Sequence, residues 1–193
     1  MSATSTVERN WIEDPPFIQK LLGDKNAGLF WLFPRLWLGY RWLDAAIHKV
    51  DNPAWVAGGE AIKGYWLNAT SFPEAGRPPI AFDWYRSFIQ ALLDIEAYTW
   101  FGKLVAYGEL LVGIALIVGA FTGIAAFFGA LMNWNFMMAG SASTNPVLFL
   151  LAIGLILAWK VAGYLGFDYF LLPRLGTPWS RKRSGRGETE KPG

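Results

Sequence analysis

Leu110 to Trp159, LLVGIALIVGAFTGIAAFFGALMNWNFMMAGSASTNPVLFLLAIGLILAW, contains no Asp, Glu, Lys, Arg or His. Roughly 20 apolar residues suffice to cross a bilayer once as a helix, so this run is too long for a single crossing. It breaks at two places. Gly119, Thr122 and Gly123 permit a tight turn, and Gly140 to Asn145 (GSASTN) is entirely small and polar. Asn145 is placed to cap a helix and Pro146 to occupy its first position. Three apolar helices follow: Gly102 to Phe121, a short one ending near Ala139, and one from Pro146 to about Leu165.

Upstream, Ala27 to Val50 (AGLFWLFPRLWLGYRWLDAAIHKV) reads as a more polar helix of spanning length, with Pro34 in its early turns. The expected fold is an all-α membrane protein, a four-transmembrane-helix bundle. The chain divides into an amino-terminal segment, 1–26, a membrane domain, 27–175, and a basic tail, 176–193. Composition agrees: 53% of residues are hydrophobic and 17% charged, and mean hydropathy is +0.26. Soluble domains carry about 25% charged residues.

Residues 51 to 100 are too many for a simple turn, and Trp55, Trp66 and the piece GRPPIAFDWY point to an organised extramembrane element. Within it, Asp83, Ser87, Gln90 and Asp94 share one helical stripe. Trp84, Tyr85, Phe88 and Leu92 lie on the other side. This pattern fits a helix lying flat at the membrane interface, where it would also serve docking, and fits equally a helix packed on the tops of the spans.

Orientation follows from basic residues. Arg174, Arg181, Lys182, Arg183, Arg186 and Lys191 cluster in the carboxyl-terminal tail, while the 140–145 loop has none, which places the tail in the cytoplasm. Four spans then put both termini there, in a cytoplasmic (inner) membrane, and put 51–100 and 140–145 outside. The stretch 1–26 lacks the basic-then-apolar pattern of a signal peptide, so the first helix is expected to direct its own insertion. Eleven tryptophans supply aromatic belts. The basic RKRSGR segment suits anionic lipid, and nothing points to nucleic acid.

Cysteine is absent and histidine occurs once, at His48. This excludes disulfides, Cys-ligated clusters, bis-histidine haem and a multi-histidine metal site built from this chain alone. No covalent cofactor or metal is expected. Redox work would need a bound organic carrier, such as a quinone, or a partner.

Charges inside a span cost about 2.5 to 3.5 kcal/mol on insertion scales and normally find a partner in the protein interior. Arg41, Asp44 and His48 stack at i, i+3, i+7, while Arg35 points to a different side. Glu109, Asn133 and Asn135 lie on the second and third spans. Counting turns of ~5.4 Å from the outer ends puts these groups at similar depth. They are expected to form one polar cluster, with Arg41–Glu109 as its ion pair. Either the cluster binds a quinone headgroup, with donors on the carbonyls and a carboxylate handling protons, or it is a network that fixes helix packing. Lys103 and Lys160 read as snorkelling anchors.

The run YGELLVGIALIVGAFTGIAAFFGALMN, with RLWLGYRWLDAAIHK before it and STNPVLFLLAIGLILAWKVAGYLGFDYFLLP after it, resembles the DoxX family. The resemblance covers most of residues 30 to 175 and implies a four-helix membrane bundle. A related protein, DoxD, is a subunit of a thiosulfate:quinone oxidoreductase. The resemblance therefore implies quinone-associated redox work, with Glu109, Arg41 and His48 as the residues to carry over. Without cysteine, thiosulfate oxidation through a protein thiol does not fit. Two other classes compete: a non-catalytic accessory subunit of a respiratory or photosynthetic complex, and a small-molecule carrier, which the lack of inverted repeats disfavours. The expected partners are the lipid bilayer and other subunits of a membrane complex.

Overall fold

The computed structural model describes residues 14–176. Among the described residues all regular structure is helical, in ten helices. Four long or apolar helices form the body: α2 (Ala27–Val50), α6 (Tyr98–Val118), α7 (Thr122–Met138) and α8 (Asn145–Leu157). The others are α1 (Pro16–Gly23), α3 (Pro53–Val56), α4 (Glu60–Thr70), α5 (Asp83–Asp94), α9 (Trp159–Ala162) and α10 (Asp168–Arg174). The basic residues beyond Gly176 lie outside the described residues.

The body packs as neighbours in sequence and space, α2 along α6, α6 beside α7, and α7 along α8. Small residues let the backbones approach. A Cβ on Gly113 would lie 2.8 Å from the Leu43 backbone nitrogen, so the α2–α6 contact at this level requires glycine. One hydrophobic core fills the body, with Leu38, Trp42, Leu116, Ala126, Ala152 and Leu155 among its buried members.

The glycine turn closes one end of the body. Gly119 (φ 72°) and Phe121 (φ 49°) adopt left-handed backbone. The turn is held from α10: the Phe121 and Thr122 amides donate to the Asp168 carboxylate at 2.5 and 2.9 Å, so a side chain distant in sequence satisfies the first amides of α7. Arg35, 1% exposed, passes beneath the turn and donates through Nη2 to the Leu165 carbonyl at 2.9 Å. A Cβ at Gly119 would collide with its guanidinium.

At the opposite end α3, α4 and α5 form a cap with its own core, including Ile62, Trp66, Ile80, Tyr85 and Ile89. Arg86 staples the 71–82 loop to it. Its guanidinium donates to the Thr70 carbonyl at 3.2 Å and to that of Ile80 at 2.6 Å, and lies 4.1 Å from the Phe72 ring centroid. We call the two ends of the body the turn end and the cap end.

Among the described residues one helix, Tyr98–Val118, is long and apolar enough to cross a membrane, and α8 is a shorter apolar helix. The body also exposes large apolar side chains on several helices, among them Phe33, Leu111, Ile124, Phe127 and Leu150. Two expectations on element boundaries are corrected. The last helix does not run unbroken to Leu165: it breaks at Ala158, where Trp159 backs onto Gly123. The cap position of α8 is Thr144, and the Asn145 side chain donates through Nδ2 back to the Ser141 carbonyl at 2.9 Å. Outside those expectations, the segment before residue 27 includes the helix α1, which packs on α9.

Candidate functional site

Helix register decides which polar side chains meet. Leu43 faces Gly113 across the antiparallel α2–α6 contact, so Glu109, one turn nearer the cap, must look for a partner on α2 beyond Leu43. It finds Lys49. The ammonium lies 2.6 Å from the Glu109 carboxylate, which is 1% exposed, and also donates to the Ala45 carbonyl at 3.3 Å. The indole of Trp55 lies 5.2 Å away and screens the ammonium from the cap side.

The expected Arg41–Glu109 pair is therefore not formed. That expectation placed the two helix ends at one level, whereas α6 runs past the end of α2 into the cap, with Gly102 against the Trp55 backbone. Arg41 instead pairs loosely with Asp44 at 3.8 Å, both side chains being partly exposed. Arg41 and Lys49, two turns apart on one stripe, do share a polar cavity of about 310 Å³ with Glu109. Tyr65, Ser141 and Asn145 are also in its wall.

The other members of the expected cluster are dispersed. His48 is exposed and lies off this cavity. Asn133 is fully buried in the body, and neither atom of its amide has a hydrogen-bond partner among the described residues. Asn135 belongs to a second cavity. Its Oδ1 accepts from the Tyr85 hydroxyl at 3.0 Å, and its Nδ2 donates to the Leu131 carbonyl at 2.8 Å.

This second cavity, about 380 Å³, lies between α6 and α7 beneath α4 and α5. Leu104, Gly108, Leu111, Phe128 and Leu131 form its sides, and Tyr85, Phe88, Ile89 and Leu92 close it at the cap. Leu111 is 66% and Phe128 51% exposed, so the cavity opens sideways from the body. Ile62, Tyr65 and Phe136 line both cavities and form the partition between them. The Tyr65 hydroxyl donates to the Phe136 carbonyl at 3.2 Å.

Burial pushes both cap tyrosines up, Tyr85 to about 12, while a hydrogen bond with Ser141 acts in the opposite direction on Tyr65. Both keep their protons at neutral pH and present hydroxyl donors. The docking face expected on α5 is thereby divided. Tyr85 is buried and Leu92 half-buried in the cap. Trp84 remains exposed, stacked at 6.4 Å on Trp134, and Phe88 is half outside while closing the cavity.

Sequence reasoning missed Lys49, Tyr65 and the separate contacts of Arg35 and Asp168 at the glycine turn. Lys49 was findable, because Arg41, Ala45 and Lys49 follow i, i+4, i+8. Among the described residues no group of three or more His, Cys, Asp or Glu could hold a metal ion. The chain matches no known protein family, no curated protein and no solved structure, so the geometry carries the functional reading.

Proposed function

We propose that this chain is a four-span, DoxX-like protein of the cytoplasmic membrane that binds a lipid-soluble quinone and serves quinone-linked oxidoreduction, with electrons supplied by a partner. The observation that carries the reading is the apolar cavity between α6 and α7. It has the size of a small-molecule site, opens sideways at Leu111 and Phe128, and ends under the tyrosines of the cap. A ligand arriving from acyl chains would enter there, tail toward the opening and ring toward Tyr65, Phe136 and Tyr85. Lys49 and Glu109 lie across the partition, within one residue layer of such a ring.

The four-span reading draws on α6, on the apolar α8, and on the exposed apolar side chains of α2 and α7. Aqueous surfaces rarely expose so large an apolar area. The positive-inside pattern then places both termini in the cytoplasm and the cap outside.

A second reading, a non-catalytic accessory subunit, is favoured by the exposed Trp84 and by the partly exposed Arg41–Asp44 stripe of α2, which would meet a neighbouring subunit better than lipid. Extraction in mild detergent followed by mass spectrometry of bound quinones and polypeptides separates the two. Gly108→Leu is the control, because a Cβ there has only the Met132 sulfur within 4 Å and the side chain grows into the cavity. Quinone bound to the wild type and lost from a folded Gly108→Leu supports the first reading. Constant partners, with no quinone sensitive to Gly108, support the second.

A further inference from the structure

The polar cavity holds more positive charge than its own wall neutralises. Arg41, Lys49 and Glu109 all line its space of about 310 Å³, so two cations face one carboxylate. Glu109 takes up Lys49 at 2.6 Å. Arg41 has the Asp44 carboxylate at 3.8 Å, but Asp44 is 44% exposed and stands outside the cavity wall. A contact this loose and this well hydrated leaves most of the five N–H donors of the guanidinium free.

The two cationic side chains converge. Eight residues put ~12 Å of axial rise between the Arg41 and Lys49 Cα atoms. Lys49 folds back toward the turn end, its ammonium donating to the Ala45 carbonyl at 3.3 Å, while Arg41 reaches toward the cap end, where Asp44 lies. Their charged ends therefore lie closer together than their backbones, and Ala45 between them adds only a methyl group to the wall. Of the three N–H groups of Lys49, one serves Glu109 and one Ala45, which leaves the third for a ligand. Ser143 and Thr144, exposed residues of the 140–145 loop, bring hydroxyls to the same space. The site stands open, the Arg41 and Lys49 side chains being 36% and 18% exposed.

We propose that the polar cavity binds a phosphate group, held by the guanidinium of Arg41 and the free N–H of Lys49, with the Ser143 and Thr144 hydroxyls on its remaining oxygens. A tetrahedral oxyanion offers acceptors in several directions at once, which donors arriving from α2 and from the loop require, and a guanidinium fork matches two of its oxygens. The volume lies at the lower end of small-molecule sites, about 300 to 1,000 Å³, as suits a ligand the size of a headgroup. Two sources supply this chemistry, the headgroup of a phospholipid and free phosphate from the aqueous phase. The site is on the far side of the Tyr65–Phe136 partition from the apolar cavity, so it does not depend on quinone binding. A phosphate held there shares its ammonium with Glu109.

The test uses the full chain as wild type, Arg41→Gln and Asp44→Asn, each purified and exchanged into a phosphorus-free maltoside. Phospholipid that survives washing is measured as lipid phosphorus per chain. Protein stripped of lipid is then titrated with inorganic phosphate in a calorimeter at constant ionic strength. Phospholipid retained at one per chain by the wild type and Asp44→Asn, and lost from Arg41→Gln, supports the site and names a lipid headgroup as its ligand. Saturable phosphate binding with no retained lipid supports the site and names the free anion. Arg41→Gln should weaken the phosphate Kd about tenfold or more, because it removes charge-assisted hydrogen bonds. Asp44→Asn should tighten it roughly two- to fivefold, because it removes the competing carboxylate. A wild type that neither retains phospholipid nor binds phosphate overturns the proposal, as does retention or binding that is unchanged in a folded Arg41→Gln. If Arg41→Gln fails to fold, Asp44→Asn decides: tighter phosphate binding or slower loss of lipid than in the wild type supports the site, and no gain in either overturns it.

Discussion

Removing Lys49 while leaving Glu109 tests the register argument on which the candidate site stands. The Glu109 side chain is 1% exposed and its carboxylate has the Lys49 ammonium at 2.6 Å, so Lys49→Met leaves a buried carboxylate without its cation. Breaking a fully buried ion pair from one side costs about 3 to 5 kcal/mol. Lys49 is 18% exposed and the pair faces a polar cavity, so solvent recovers part of this, and about 2 to 3 kcal/mol is expected. Glu109→Gln should cost less, roughly 1 kcal/mol, because the lysine that remains can turn its ammonium into the cavity. Arg41→Met should cost about 0.5 kcal/mol or less, since its ion pair among the described residues is a loose, partly exposed one with Asp44. Reversible unfolding in mixed micelles, read by tryptophan fluorescence, gives all three values. The Lys49→Met/Glu109→Gln cycle isolates the coupling. A loss at Arg41 equal to or greater than that at Lys49 would refute the register argument and return Glu109 to Arg41.

Gly113→Leu should destabilise the protein by roughly 1 to 3 kcal/mol, because its Cβ meets the Leu43 backbone at 2.8 Å, whereas Gly64→Ala, with no neighbour within 4 Å, should be neutral or mildly stabilising in the same assay. Asp168→Ala removes the acceptor of both the Phe121 and Thr122 amides, and a loss of about 1 to 2 kcal/mol is expected, with faster amide exchange confined to the start of α7. Tyr85 ionises at about 12 in the folded protein and near 10 in an unfolded chain, so unfolding releases a proton in between. Stability from this group is complete below pH 10 and declines as pH rises toward 12, and Tyr85→Phe should abolish that decline in chemical-unfolding curves recorded across this range.

Several elements were legible in the sequence. The bounds of α2 coincide with the expected Ala27 to Val50, and α5 begins at the expected Asp83. In both, the change from polar flank to helical apolar pattern is abrupt. The cap helix α4 was not read, because Trp66 and Ile62 bury against α6 and α5 and neither partner is visible from local periodicity. The polar residues were identified correctly as unusual, but their partners depend on how far one helix slides along another. A slide of two turns separates Arg41 from Lys49 as the neighbour of Glu109. Arg35 reaches a carbonyl 130 positions away and Asp168 reaches amides 47 and 46 positions away, and only the folded turn at Gly119 brings them together. The division between an apolar cavity and a polar one rests on Tyr65 and Phe136, which have no sequence pattern in common.

The most direct measurement of the central claim is photolabelling of membranes with an azido-quinone, followed by peptide mapping. Label concentrated on 104–111 and 128–136, competed by unlabelled quinone and absent from Gly108→Leu, is the result expected of a quinone held between α6 and α7. Label spread over the exposed apolar surface, or retained at these peptides when the cavity is filled by Gly108→Leu, would contradict it.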